Sequence, residues 1–144
     1  WRGADLPDEE QWEKAARGGF EEKKYPWGDE APVCNLGATN GAKFDDNENC
    51  DKAGTEPVAN FSANGYGLYD IAGNAWEWTA YWYDEDFYAS SPLKNPLGPA
   101  SGTQRVLRGG SWFDDVGSLR SAIRSRSNPS STNGYNGFRC SRSH

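Results

Sequence analysis

Apolar and polar positions alternate regularly in only a few stretches of this chain. Leu6-Pro7-Asp8-Glu9-Glu10-Gln11-Trp12-Glu13-Lys14-Ala15-Ala16-Arg17-Gly18-Gly19 predicts a short helix with both ends marked. Asp8 is a good N-cap, and Gln11 three residues on completes a capping box. Glu9 and Glu10 lie where the helix dipole favours anions, Arg17 lies at the opposite end, and Gly18 supplies a left-handed stop. Trp76-Glu77-Trp78-Thr79 alternates with period two, as in a half-buried strand, with the two Trp on one face and Glu77 and Thr79 on the other. Arg105–Trp112 reads as a second strand and Gly137–Cys140 as a short last one. Between these, Tyr25–Asn60 and residues 84–104 carry Pro and Gly without periodicity, and 113–137 is rich in Ser, Asn and Arg. With no repeat and no separating linker, the expectation is one irregular, loop-rich α+β domain over residues 1–144.

Composition narrows this further. The chain has 144 residues, a usual length for a single domain. Hydrophobic residues make up 35 %, yet 20 residues are aromatic and 17 are Gly. Aromatics at that density argue against disorder, and no apolar run reaches the roughly 18 residues of a membrane span. Large aromatic anchors around a small core fit better than a helical bundle. No Met occurs and the chain opens at Trp1, so a mature or excised piece is expected.

The net charge of −6 is unevenly spread: residues 1–104 carry −11, whereas 105–144 hold seven Arg and only Asp114 and Asp115. An Arg-rich end suits either an anionic partner or internal pairing. The acidic remainder and the absence of Lys there favour pairing of Arg120, Arg124, Arg126 and Arg139 within the domain over nucleic-acid binding.

Candidate chemistry is oxygen-rich. The only His is His144, which leaves no His-based triad or multi-His metal site, and no Gly-rich phosphate loop is present. Asp45, Asn47, Asn49, Asp51 and Glu56 have the side-chain spacing of an EF-hand loop, although Cys50 stands where Gly is needed; the alternative is a solvated acidic loop. Bridging Cys34 to Cys50 would bring Asn35 and Asp51 together and contribute about 3 kcal/mol. The alternative is three reduced thiols. A bridge implies an oxidising compartment and leaves Cys140 free or joined elsewhere.

Several blocks resemble the formylglycine-generating enzyme, or sulfatase-modifying factor, superfamily. They are Leu6–Glu13 with Ala15–Gly19, Tyr25-Pro26-Trp27-Gly28, Pro57-Val58, Asn64–Asp70, Gly73–Trp78, Arg105–Trp112 and Gly137–Cys140. They cover nearly the whole chain in the family's order, without its N-terminal part. The resemblance implies a variant C-type-lectin fold with a small twisted antiparallel sheet, one or two short helices and one or two bound Ca2+ ions. It places one cation on Asn35, Leu36, Asp51 and Ala53, and a second on Asp70, Gly73, Ala75 and Glu77.

One departure bears on activity. Catalytic members oxidise a substrate cysteine with two copper-binding cysteines shortly after the Gly-Gly-Ser-Trp/Tyr block. Here no Cys occurs between Cys50 and Cys140, and Asp114 with Leu119 cannot replace the thiolates that soft Cu(I) prefers. The expectation is therefore a non-catalytic, calcium-stabilised, extracytoplasmic module that binds an unidentified protein or glycan or serves as a structural, self-associating subunit. Its ligand surface would be the irregular 113–136 tail, with the adaptable polar residues Asn128, Asn133, Tyr135 and Asn136. The alternatives are an oxidase whose chemistry comes from the missing part, and a retroelement-diversified binding protein.

Overall fold

Residues 3–46, 50, 54–92, 94 and 96–142 are described by a computed structural model. Helix α1 spans Glu9–Ala16. Asp8 stands before it in extended backbone, and its N–H donates to Gln11 Oε1 at 3.0 Å, so the expected capping box forms. The far end is closed from a distance: Asn64 Nδ2 donates to the carbonyls of Ala15 and Ala16, at 2.7 and 3.1 Å. These are carbonyls that a helix leaves without an internal partner. The Asn64–Gly67 turn lies so close that a Cβ on Gly65 would overlap the Gly18 carbonyl oxygen. Two glycine-bearing sequence blocks thus meet at one helix end.

Four strands form the sheet: β1 (Trp76–Trp82), β2 (Arg105–Arg108), β3 (Arg124–Ser127) and β4 (Asn136–Gly137), in the order β3-β2-β1-β4. β1 and β2 pair antiparallel with Glu77 opposite Arg108, and β2 and β3 pair antiparallel with Arg108 opposite Arg124. β4 lies parallel to β1, with Trp76 opposite Asn136, so the sheet is mixed rather than wholly antiparallel. The second expected strand stops at Arg108 because Gly109 and Gly110 have φ of +98° and +77°. A short helix α2 (Phe87–Ser90) and a 3-10 turn (Val116–Leu119) complete the regular structure.

The face of β1 under α1 is not the tryptophan face. Glu77, Thr79 and Tyr81 are buried, whereas on the other face Trp76 is buried but Trp78 and Trp82 are only partly so. Helix α1 brings Glu9, Glu13 and the Trp12 indole N–H to the sheet, so charged partners line the layer beneath it. Arg108 is fully buried and donates to Glu13 Oε2 and the Ile123 carbonyl. Arg124 grips Glu9, itself fully buried, through two bonds of 2.7 and 3.0 Å. Bidentate geometry of this kind is what guanidinium supplies and ammonium does not. The apolar core is split accordingly. Tyr25, Ala42, Phe44, Ala72 and Leu119 form one cluster, and Trp12, Ala16 and Ile71 form another.

Of the arginines expected to pair internally, Arg124 and Arg139 do so. Arg120 donates instead to the Gly117 carbonyl, and Arg126 lies 4.5 Å from the Tyr83 ring centre. Arginine also covers other rings near the 84–104 loops: Arg105 sits over Trp82 and Arg124 over Tyr83 and Tyr88. Among the described residues, no helix is long and apolar enough to cross a membrane.

Two phenols in this region give a pH prediction. Burial first, and then nearby Glu10 and Glu9 carboxylates, push the Tyr81 and Tyr88 hydroxyls up from their ordinary value. In the unfolded chain both ionise near pH 10. Unfolding therefore releases protons above that pH, so the stability from these phenols is complete below about pH 10 and falls as pH rises further. In an absorbance titration at 295 nm, two of the seven tyrosines should lag until the chain unfolds. Ionisation of all seven as a single class in the folded protein would contradict this.

Candidate functional site

The turn before β1 has an unusual backbone. Asp70, Gly73 and Asn74 all have positive φ, at 51°, 77° and 64°. For the two residues that are not glycine this costs about 1–3 kcal/mol each, which surrounding bonds must offset. They do: Gly73 N–H donates to Gly109 O and Asn74 N–H to Lys43 O, both at 2.8 Å. The Asn74 side chain bonds Glu56 through both its oxygen and its nitrogen. A Cβ at Gly73 would overlap the Lys43 carbonyl, so the close approach requires glycine.

Of the four residues expected to hold the second cation, three meet at one pocket, and Gly73 is not among its lining residues. Asp70, Ala75 and Glu77 line an open pocket of ≈ 390 Å³, rimmed by exposed Val58, Tyr69 and Phe138. Asp70 Oδ2 accepts from Ala59 N–H at 2.7 Å, whereas Oδ1 is buried with no donor. A buried carboxylate oxygen without a partner is costly, and a hard cation is a suitable partner for it. Glu77 is more heavily used: Oε2 accepts from Trp12 Nε1 and Arg139 Nε, both at 2.6 Å, and Oε1 from Arg139 Nη2 at 2.5 Å. Two carboxylates and two backbone carbonyls are the donor types an oxygen-seeking ion such as Ca2+ takes. The Gly73 carbonyl already accepts from Ala75 N–H at 2.8 Å, and among the described residues no group of three His, Cys, Asp or Glu could hold a metal.

The first expected cation set is less fully described. Cys34 and Cys50 form a disulfide with Cα atoms 5.4 Å apart, while Cys140 is free and exposed. Asn35 and Leu36 are exposed beside it. Asp51 and Ala53 lie outside the described residues, as do Asn47 and Asn49 of the EF-hand-like spacing. Of the remaining members of that spacing, Asp45 donates its N–H to Asp114 O and Glu56 faces Lys43 and Asn60.

The expected ligand surface is a polar loop with an aromatic edge. Residues 128–135 are all exposed. Asn128 Oδ1 accepts from Ser130 N–H and Oγ, and Asn133 Oδ1 from Tyr135 N–H, so both side chains fix tight turns. Asn136 is partly buried in β4, and neither polar atom of its side chain has a partner. Tyr135 stacks on exposed Phe113 at 6.2 Å and 18°, and Trp112 anchors the group by donating to Gly134 O. Phe113 begins the expected 113–136 stretch, and it and neighbouring Trp112 reach residues 134–135 by contacts across the chain.

Asp114 and Leu119 occupy the two positions at which the family resemblance implies cysteine in catalytic members. Asp114 Oδ2 accepts from Trp76 Nε1 at 2.8 Å, from Ser111 N–H at 3.1 Å and from Ser111 Oγ. Leu119 is 1 % exposed, packed in the Tyr25 cluster. One position thus carries a hydrogen-bonded carboxylate and the other a core side chain.

A small mixed sheet with a single well-formed helix, long glycine-punctuated loops and a strained Asp70–Asn74 turn defines a loop-rich α+β domain of the formylglycine-generating-enzyme type. The chain belongs to the sulfatase-modifying factor enzyme 1-like domain family, whose model matches residues 1–144. It is 42 % identical over 151 residues to a formylglycine-generating enzyme of Thermomonospora curvata, covering 97 % of this chain and 50 % of that protein. It is 40 % identical to the mouse (Mus musculus) protein named inactive C-alpha-formylglycine-generating enzyme 2, covering 99 % and 44 %. Among solved structures, Treponema denticola variable protein 1 superposes with a TM-score of 0.76 at 34 % identity, over 95 % of this chain and 46 % of that one. The chain spans about half the length of the bacterial formylglycine-generating enzymes it matches, 50 % and 47 %.

Proposed function

We propose that this domain is a non-catalytic, calcium-stabilised binding module that works outside the cytoplasm and presents the Phe113–Tyr135 surface to a protein or glycan ligand. The observation that carries this reading is the fate of positions 114 and 119. A copper-dependent oxidase needs two thiolates there, and the chain supplies an acceptor already engaged by Trp76 and Ser111 and a leucine in the core. The orphaned Asp70 Oδ1 supports the calcium part, and the Cys34–Cys50 bridge supports an oxidising compartment. The likeness to Treponema denticola variable protein 1 favours a second reading, in which residues 113–136 differ between copies of the gene. Sequencing that stretch in independent isolates tests it.

Two measurements test the main reading. The Cys140→Ser variant, which removes the only exposed thiol among the described residues, should retain no Cu(I) after desalting and consume no oxygen with a cysteine-containing peptide. Stoichiometric copper or peptide oxidation would restore the oxidase. The melting temperature should fall on adding EDTA and return with Ca2+, since an ion at 100 times its Kd contributes about 2.7 kcal/mol to the folded state.

A further inference from the structure

Glu77 is held from two sides before any ion is considered. Trp12, from helix α1, and Arg139, just after β4, saturate Oε2, while Oε1 accepts a single bond, from Arg139 Nη2. A carboxylate oxygen has two acceptor sites. The carboxylate is therefore locked in one orientation with one acceptor site left on Oε1. Arg139 does more than pair with Glu77. Its Nη2 also donates to the carbonyls of Tyr69, at 3.0 Å, and Asp70, at 3.4 Å. A single guanidinium thus ties β1, which carries Glu77, to the left-handed residue that carries the unpartnered Asp70 Oδ1.

We propose that Arg139 is a positioning residue for the Asp70–Glu77 cation site, fixing the spacing of the two carboxylates so that they capture Ca2+ together. The inference rests on the calcium reading given above. It makes a prediction opposite in sign to simple electrostatics. A positive charge beside two carboxylates repels a divalent ion, so removing it should tighten binding by Coulomb's law alone. If Arg139 acts by orienting the ligands, removing it weakens binding, as loss of hydrogen-bonding partners around metal ligands does, by about 10–100-fold.

The test is isothermal titration of the full chain with CaCl2, well below the melting temperature. The variants are Arg139→Gln, Arg139→Lys and Trp12→Phe. Arg139→Gln should bind Ca2+ about 10–100-fold more weakly. Arg139→Lys keeps the charge but loses the fork, and should also bind more weakly than the wild type. Trp12→Phe, which removes one of the two anchors on Glu77, should weaken binding by less than Arg139→Gln. Tb3+ luminescence lifetimes give an independent readout: release of Glu77 from the ion admits water and shortens the lifetime in Arg139→Gln. A purely structural role would lower the melting temperature of the ion-free protein and leave affinity and lifetime unchanged. Wild-type or tighter Ca2+ binding by Arg139→Gln overturns the proposal. If that variant does not fold, wild-type affinity in both Arg139→Lys and Trp12→Phe overturns it. Failure of the wild-type chain to bind Ca2+ at millimolar concentration overturns the calcium reading itself, a distinguishable result.

Discussion

Arg108→Leu should be among the most destabilising single changes in this domain, lowering stability by about 3–5 kcal/mol, the usual effect of breaking a buried ion pair from one side. For a chain of this size that corresponds to a fall in melting temperature of roughly 6–20 °C. Arg108 is fully buried, donates to Glu13 and to the Ile123 carbonyl, and lies 3.6 Å from Glu9 Oε1 and 5.2 Å from the Trp12 ring centre. Leucine fills part of the volume but leaves the Ile123 carbonyl without this donor and removes one cation from two carboxylates. Arg124 still holds Glu9 and Arg17 still holds Glu13, at 2.7 and 2.6 Å, which keeps the structure from collapsing outright. Combining Arg108→Leu with Glu9→Gln should cost less than the two single changes added together, because the charge left unbalanced by the first is removed by the second. Urea unfolding of the four proteins measures this. A loss below about 1 kcal/mol for Arg108→Leu would show that the buried network contributes little.

Replacing Cys34 and Cys50 together with serine should cost about 3 kcal/mol, because the bridge closes a loop across 16 positions of sequence. Both cysteines also pack against the Tyr25 cluster, so serine places hydroxyls against an apolar surface there. The melting temperature should fall by roughly 6–12 °C, at about 2–4 °C per kcal/mol. Reductant should destabilise the wild type by a similar amount and leave the double-serine variant unaffected, which separates the bridge from the packing change. Equal melting with and without reductant in the wild type would mean that the bond is not formed in solution.

The expected cation ligands Asp70, Gly73, Ala75 and Glu77 come from family resemblance alone, and the structure places Asp70, Ala75 and Glu77 at one pocket, on a segment where Asp70 and Asn74 have positive φ. The partners of Glu77 are not legible in the sequence. Trp12 and Arg139 lie 65 and 62 positions away from it, and nothing in a linear spacing ties an indole on a helix to a guanidinium after the last strand. The ligand stretch is legible by composition, yet its aromatic edge is not, because Phe113 and Tyr135 meet only when the chain returns to the sheet.

What the sequence determined by itself is local chemistry. Asp8 and Gln11 cap a helix, Gly18 ends it, and period-two alternation makes a strand at 76–79; each depends on residues a few positions apart. Which groups end up inside depends on long-range packing. β3 reads Arg-Ser-Arg-Ser, with no apolar period, and forms by pairing with β2 while Arg124 reaches Glu9, 115 positions away. The Glu77–Thr79 face of β1 is buried along its length for the same reason, whereas on the other face only Trp76 is buried. Buried charges need partners, and here distant arginines supply them, so beside the apolar Trp12, Ala16 and Ile71 cluster part of the interior under α1 is ionic and leaves no hydrophobic signature along the chain.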